Sequence, residues 1–221
     1  MRAPWSDTPR RMLHVARFFI VVPVVPRAML GAFGAATLVG GVVLGVDASQ
    51  GARAVAPVLL LQLFGSASGF VIPARRGHYD LLLTRGDSRV MIAVMHWIMS
   101  ITPGIVSWLV LAVIELIAGE RSLIAPGTLL SLCIVSTLPW SMTVPLPRLT
   151  GAIAWLLAFA LVSAALPNPA ASAAAMPVPW ALLSASPHPL AAAIVICCVV
   201  TTMLGTLVWI SRMDVPLESG Q

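Results

Sequence analysis

Residues 91–117 read MIAVMHWIMSITPGIVSWLVLAVIELI. A helix that crosses a bilayer needs about 20 predominantly apolar residues. This run exceeds that length and carries one formal charge, Glu115, close to its end. The rest of the chain has the same character. Of 221 residues, 59% are hydrophobic and only 10% charged, and the mean hydropathy is +0.97. Soluble domains carry about 25% charged residues, and one soluble core of this length could not bury so much apolar surface. The composition therefore points to an integral membrane protein. It excludes a soluble enzyme, a collagen-like rod, a disordered tail and a disulfide scaffold. The three cysteines, Cys133, Cys197 and Cys198, lie in apolar runs without metal-ligand or redox spacing and read as core filler.

Working outward with the same length criterion predicts six spans, at 28–46, 54–73, 91–117, 123–146, 149–166 and 191–211. The predicted fold class is thus all-α: a polytopic, six-helix transmembrane domain over 28–211. A cytoplasmic or interfacial segment precedes it at 1–27, and a cytoplasmic tail follows at 212–221. The spans are separated by a segment from Asp47 to Arg53, a charged segment from Arg75 to Arg89, a turn at Gly119-Glu120-Arg121-Ser122 and a short turn at Pro147-Arg148. The connection from Pro167 to Leu190 has no formal charge and is rich in proline. Span four carries Pro139, Pro145 and Pro147 in or beside its second half, which neighbouring helices must accommodate.

Every basic side chain except the histidines is an arginine, and the net charge is +5. In a soluble protein such a balance suggests nucleic acid; here it is better explained as loop charge that orients helices, so no nucleic-acid partner is expected. Arg2, Arg10, Arg11, Arg17 and Arg27 precede span one. Arg75, Arg76, Arg85 and Arg89 follow span two, Arg148 follows span four and Arg212 follows span six. Only Arg53 and Arg121 fall on the other side. The asymmetry places both termini in the cytoplasm. Abundant Ala, Arg and Pro without lysine suggests GC-rich coding, hence a bacterial cytoplasmic (inner) membrane. The first apolar run starts late and is broken by Pro23, Pro26 and Arg27, so a cleavable signal is not expected. From Arg10 to Val25, basic residues precede Phe18-Phe19-Ile20-Val21-Val22. This stretch is too short to cross and suits an interfacial helix, with arginines on headgroups and the aromatic pair in the acyl boundary.

The chain has no P-loop run, and without lysine it cannot build one. Any ATP-driven work must be powered by another chain. Three residues form a candidate intramembrane polar site: Ser68, His96 and Glu115. Ser68 and His96 lie near the cytoplasmic ends of spans two and three, as an intramembrane serine protease would require. The other reading makes Gly65-Ser66-Ala67-Ser68-Gly69 a small-residue packing surface, with the same spacing as Gly41 and Gly45 in span one. Glu115 is costly if unpaired in a membrane. It sits one turn from the boundary, where reaching the headgroups, pairing with Arg121 or serving a functional site all fit.

The most informative segment joins spans two and three: Arg75-Arg76-Gly77-His78-Tyr79-Asp80-Leu81-Leu82-Leu83-Thr84-Arg85-Gly86-Asp87-Ser88-Arg89. Tyr79, Leu81, Leu82 and Leu83 predict a short helix with one apolar face. It could rest on the membrane surface or enter a groove on a cytoplasmic partner. Gly77, Asp80, the leucine run, Thr84 and the Ser88-Arg89 pair resemble the cytoplasmic loop of type-2 ABC exporter permeases. The resemblance departs at Arg75-Arg76, where the family carries an acid, and at Arg85-Gly86, where it carries a proline. A second similarity is Pro179-Trp180 with Pro187-His188-Pro189, which resembles the family's re-entrant segment before the last span. The short chain and Met95-His96-Trp97 are similar to the haem-exporter permease of cytochrome c maturation, a related subunit.

The resemblance implies a non-enzymatic membrane subunit that moves an amphipathic or hydrophobic cargo. Its partners would be membrane lipid, a second copy or similar permease, and a cytoplasmic ATP-binding subunit carrying ATP and magnesium. No cofactor is expected in this chain. The contact with the ATPase is expected within segment 75–90, at Tyr79, Leu82 and Leu83, flanked by Asp80 and Arg89, with Gly77 and Leu81 in the same segment. Alternatives from other classes are a non-transport immunity or assembly factor and the serine protease.

Overall fold

The computed structural model describes residues 8–22, 24–67, 70, 73–74, 77–85, 87–143 and 189–212. Among these residues the structure is all helical. Helix α1 spans Thr8–Val21, α2 Arg27–Val46, α3 Gly51–Ser66, α4 Asp80–Thr84, α5 Arg89–Ile117, α6 Pro126–Met142 and α7 Pro189–Arg212. Two of them, α2 and α5, are long and apolar enough to cross a membrane.

Local chemistry sets the boundaries. Pro26 precedes α2, and Asp47 ends it by turning its carboxylate onto the next segment. That carboxylate accepts from the Ser49 amide (3.0 Å), the Ser49 hydroxyl (2.6 Å) and Gln50 Nε2 (2.9 Å). These bonds, the Ser49 hydroxyl first, hold the Asp47 carboxyl below the usual carboxylate range. Ser88 caps α5, its hydroxyl accepting from the Met91 amide at 3.1 Å. At the other end Gly119 adopts φ +91°, and the Glu120 amide returns to the Glu115 carbonyl at 3.1 Å. A side chain would strain that left-handed position, so the helix stops there. Pro126 occupies the first position of α6, where its missing N–H costs nothing.

Three predicted spans are altered or only partly described. The second, expected at 54–73, is a helix that starts at Gly51 and ends at Ser66, because Ala67 already leaves the helical ladder. The fourth, expected at 123–146, begins at Pro126 after a single 3₁₀ turn over Ser122–Ile124, and is helical to Met142 with Pro139 inside it. The fifth, at 149–166, lies outside the described residues, as do Pro179, Trp180 and Pro187 of the expected re-entrant segment. Pro189 is the first residue of α7.

Helix α3 packs against α2, α5 and α6, and α7 packs on α6. Phe33, Leu44, Val58, Leu59, Leu111 and Val135 form the core between α2, α3, α5 and α6. Backbones approach closely at Gly40, where a Cβ would lie 2.6 Å from the Ala54 carbonyl oxygen and 3.0 Å from a Leu111 methyl. The small residue that matters in α2 is thus Gly40 rather than the Gly41 and Gly45 pair: Gly45 faces open space. Cys133 and Cys197 are exposed on the bundle surface, so the core-filler reading fails for both.

Candidate functional site: the segment between α3 and α5

Gly77 opens the turn into α4 with φ +72°, a left-handed conformation that glycine adopts without strain. The Asp80 amide bonds back to the Gly77 carbonyl at 3.1 Å, and a Cβ at Gly77 would lie 2.9 Å from the Asp80 carboxylate. This turn sets the direction of α4. The five-residue helix then divides its apolar residues. Tyr79 and Leu82 are buried at 4% and 2% exposure, Leu83 is half-buried, and Leu81 points outward at 54%. His78, Thr84, Arg85 and Ser88 are exposed around it.

The division corrects the expected contact. Of the three residues expected to meet an ATPase, Tyr79 and Leu82 face the bundle and Leu83 is half-buried, whereas Leu81 points outward. Tyr79 stacks on Phe70, with ring centroids 5.2 Å apart and planes at 8°. It also meets the edges of Phe19 (5.7 Å) and His96 (6.1 Å). Phe18 joins at 6.5 Å. Aromatic pairs at such separations add about 0.5–1.5 kcal/mol each beyond the area they bury. The cluster therefore ties α4 to α1 and to the start of α5. Phe19 is 3% exposed, which corrects the expectation that the aromatic pair of α1 enters the acyl boundary. Exposed apolar residues of α1 instead include Leu13, Ile20 and Val21, at 54%, 72% and 78%.

His96 is fully enclosed. Its Nδ1 accepts from the indole Nε1 of Trp140 at 3.0 Å, and Phe19 and Phe70 each lie 5.9 Å from its ring. With that nitrogen occupied by an indole donor, the imidazole is ill placed to act as a base. Ser68 lies outside the described residues. Ser66 accepts from Gln62 Nε2 at 2.7 Å, and the same amide approaches the Ser100 carbonyl at 3.3 Å. These bonds match the packing alternative for the serine-rich stretch. Gln62 was not anticipated, although it is the one amide side chain in the apolar run of span two. Its Oε1 is buried without a partner, pressed toward Gly104.

Glu115 is completely buried and does not pair with Arg121, which is exposed. One carboxylate oxygen accepts from the Ser122 hydroxyl, and the other from the Leu123 amide at 2.7 Å. Thr128 Oγ1 donates to the Ser122 carbonyl at 2.9 Å, and Trp108 Nε1 to the Leu123 carbonyl at 2.9 Å. The carboxylate also lies against Gly51 at the start of α3, where the helix dipole favours negative charge. Glu115 fastens the connection between α5 and α6. Of the three candidate polar residues, the two described ones sit in separate clusters, tied to Trp140 and to Ser122.

Among the described residues, no group of three His, Cys, Asp or Glu side chains is placed to hold a metal ion. Compared with family models, curated proteins and solved structures, the chain matches none.

Tyr79 is the only tyrosine in the chain, so its ionisation can be followed alone. Burial raises its phenol above the ordinary value. The folded protein should show no tyrosinate absorbance at pH about 10, where a free tyrosine is half ionised. Because the folded value is the higher one, stability is full below about 10 and falls as pH rises above it. An absorbance titration with an ordinary tyrosine midpoint, at a pH where the helical circular dichroism is intact, would place Tyr79 in solvent and break the cluster.

Proposed function

We propose that this chain is the permease subunit of an ABC exporter, a six-span protein of a bacterial inner membrane with both termini cytoplasmic. ATP would be hydrolysed by a separate subunit beneath it. The observation that carries the reading is α4. A short helix between two candidate spans is anchored to α1 and α5 by Tyr79 and Leu82, and it leaves one leucine, Leu81, outward among basic and hydroxyl side chains. That arrangement suits a lever better than a catalytic centre. A push on Leu81 is passed through Tyr79 to Phe19 of α1 and His96 of α5, and through His96 to Trp140 of α6. A cytoplasmic motor that closes on ATP would thereby tilt three helices together.

The arginine asymmetry, two helices long enough to span and the similarity of the 77–89 segment to type-2 ABC permeases support the same assignment. In it, two permeases, identical or similar, would flank a path for an amphipathic or hydrophobic cargo. The coupling would be set by how differently the cargo binds the two states.

The test is capture from native membranes in mild detergent, with a photo-crosslinking residue at position 81. A soluble nucleotide hydrolase should co-purify and crosslink at position 81, and not at the buried position 82. Recovery of the intact chain with no hydrolase, from cells expressing it at native level, removes the reading. The membrane-factor alternative would then take its place.

A further inference from the structure

An open groove of about 690 Å³ runs between α1, α2 and α5, within the size range of small-ligand pockets, about 300–1,000 Å³. Its walls include Ile20, Leu30, Gly34, Leu38, Pro103 and Val106. The two threonines that line it bond to their own helices: Thr37 Oγ1 to the Phe33 carbonyl and Thr102 Oγ1 to the Ile98 carbonyl, each at 2.7 Å. Their hydrogens are therefore turned away; Ser107, 6% exposed, is the remaining hydroxyl of the lining, and the other lining residues are apolar. It extends from Leu30 to Leu38 on α2, about 12 Å, and from Met99 to Val110 on α5, about 16 Å, at 1.5 Å per residue. One leaflet of a typical hydrocarbon core is about 15 Å deep. The groove matches that depth.

Its cytoplasmic end is marked by charge. Arg27 precedes Leu30 by three residues and Gly34 by seven, so it heads the same stripe of α2 that lines the groove. It is exposed, and Arg17 is exposed on α1 one turn before Ile20. The exposed Arg17 and Arg27 at this rim favour an occupant that brings negative charge, as an anionic headgroup does.

The geometry points to a resident lipid: one acyl chain of an anionic phospholipid from the cytoplasmic leaflet lies in the groove, with its phosphate held at Arg27. This inference rests on the cytoplasmic placement of the start of α2 proposed above. It does not depend on the ATPase. The bound lipid would wedge α1 against α2 and α5, the same α1 that carries the push from Tyr79.

Gly34 suits the test, because it lines the groove and a Cβ there has nothing within 4 Å. Gly45, equally open but outside the groove, serves as the control. Wild type, Gly34→Phe, Gly34→Leu, Gly45→Phe and Arg27→Gln are reconstituted in nanodiscs of equal phosphatidylglycerol and phosphatidylcholine. Retained lipid is counted by native mass spectrometry. Wild type and Gly45→Phe should keep one phosphatidylglycerol. The Gly34 variants should lose it with unchanged circular dichroism, Leu serving if Phe does not fold. Arg27→Gln should lower the preference for phosphatidylglycerol about fivefold, the scale of one arginine near an anionic surface. Equal retention of both lipids by wild type, or retention untouched in both Gly34 variants, overturns the inference. So does a dimer that Gly34→Phe splits without changing lipid content, since the groove would then be a protein interface. A lost hydrolase contact with lipid retained defeats the exporter reading alone; a retained contact with no bound lipid defeats this one alone.

Discussion

Leu81→Asp is expected to abolish coupling to the ATPase proposed above while leaving the bundle folded. The side chain is 54% exposed, so in the free protein the new carboxylate stays in water. Surface changes of that kind usually fall within about ±0.5 kcal/mol. In a partner's apolar groove the same carboxylate would be stripped of water and left unpaired. Anchors of this type commonly contribute at least about 2 kcal/mol when truncated. That is roughly a thirtyfold loss of affinity, and a charge should exceed it. The measurements are hydrolase recovery and cargo-stimulated ATP turnover in proteoliposomes, alongside thermal unfolding. Leu82→Ala provides the contrast: buried at 2%, it should cost about 2–5 kcal/mol of stability. Normal turnover in Leu81→Asp would show that this helix touches no motor.

Glu115→Ala should produce the largest loss of stability among polar substitutions around the connection between α5 and α6. It removes the acceptor for the Ser122 hydroxyl and for the Leu123 amide. Hydrogen bonds to a charged group contribute about 1.5–3 kcal/mol each, and the Leu123 amide has no solvent to turn to, since Leu123 is 0% exposed. A total of about 2–4 kcal/mol is expected, allowing for partial relaxation of the connection. Glu115→Gln should lose less, because its amide oxygen can still accept from Leu123 and the Ser122 hydroxyl can rotate to accept from its amide group. Arg121→Ala should be close to neutral. Thermal unfolding in detergent separates the cases. Equal losses in Arg121→Ala and Glu115→Ala would mean that an ion pair, rather than the connection, is what the carboxylate supports.

Helix existence was legible for the long apolar runs that fall among the described residues. The 91–117 run is α5, extended by two residues at its start to the Ser88 cap; 28–46 is α2; and 191–211 lies within α7. The N-terminal helix was legible too, from basic residues ahead of an apolar patch. Its facing was not. A short helix with aromatics on several sides can turn either face to the membrane, and the choice fell to Phe70, Tyr79 and His96, distant in sequence, which gave Phe19 an aromatic enclosure. Around α4 the sequence offered Tyr79 and the run Leu81-Leu82-Leu83, and in a five-residue helix no periodicity distinguishes an anchor from a knob. Burial of Leu82 and exposure of Leu81 could be assigned only once α1 and α5 were in place.

Composition and the length of the apolar runs were enough to anticipate a helical chain with helices long and apolar enough to cross a membrane, because both are one-dimensional patterns. Which polar groups meet was decided by the tertiary structure. Glu115 took Ser122 and Leu123 instead of Arg121, and His96 took Trp140, because a carboxylate or imidazole withdrawn from water bonds to whatever donors the packing brings within about 3 Å. Sequence spacing does not encode that proximity between separate helices.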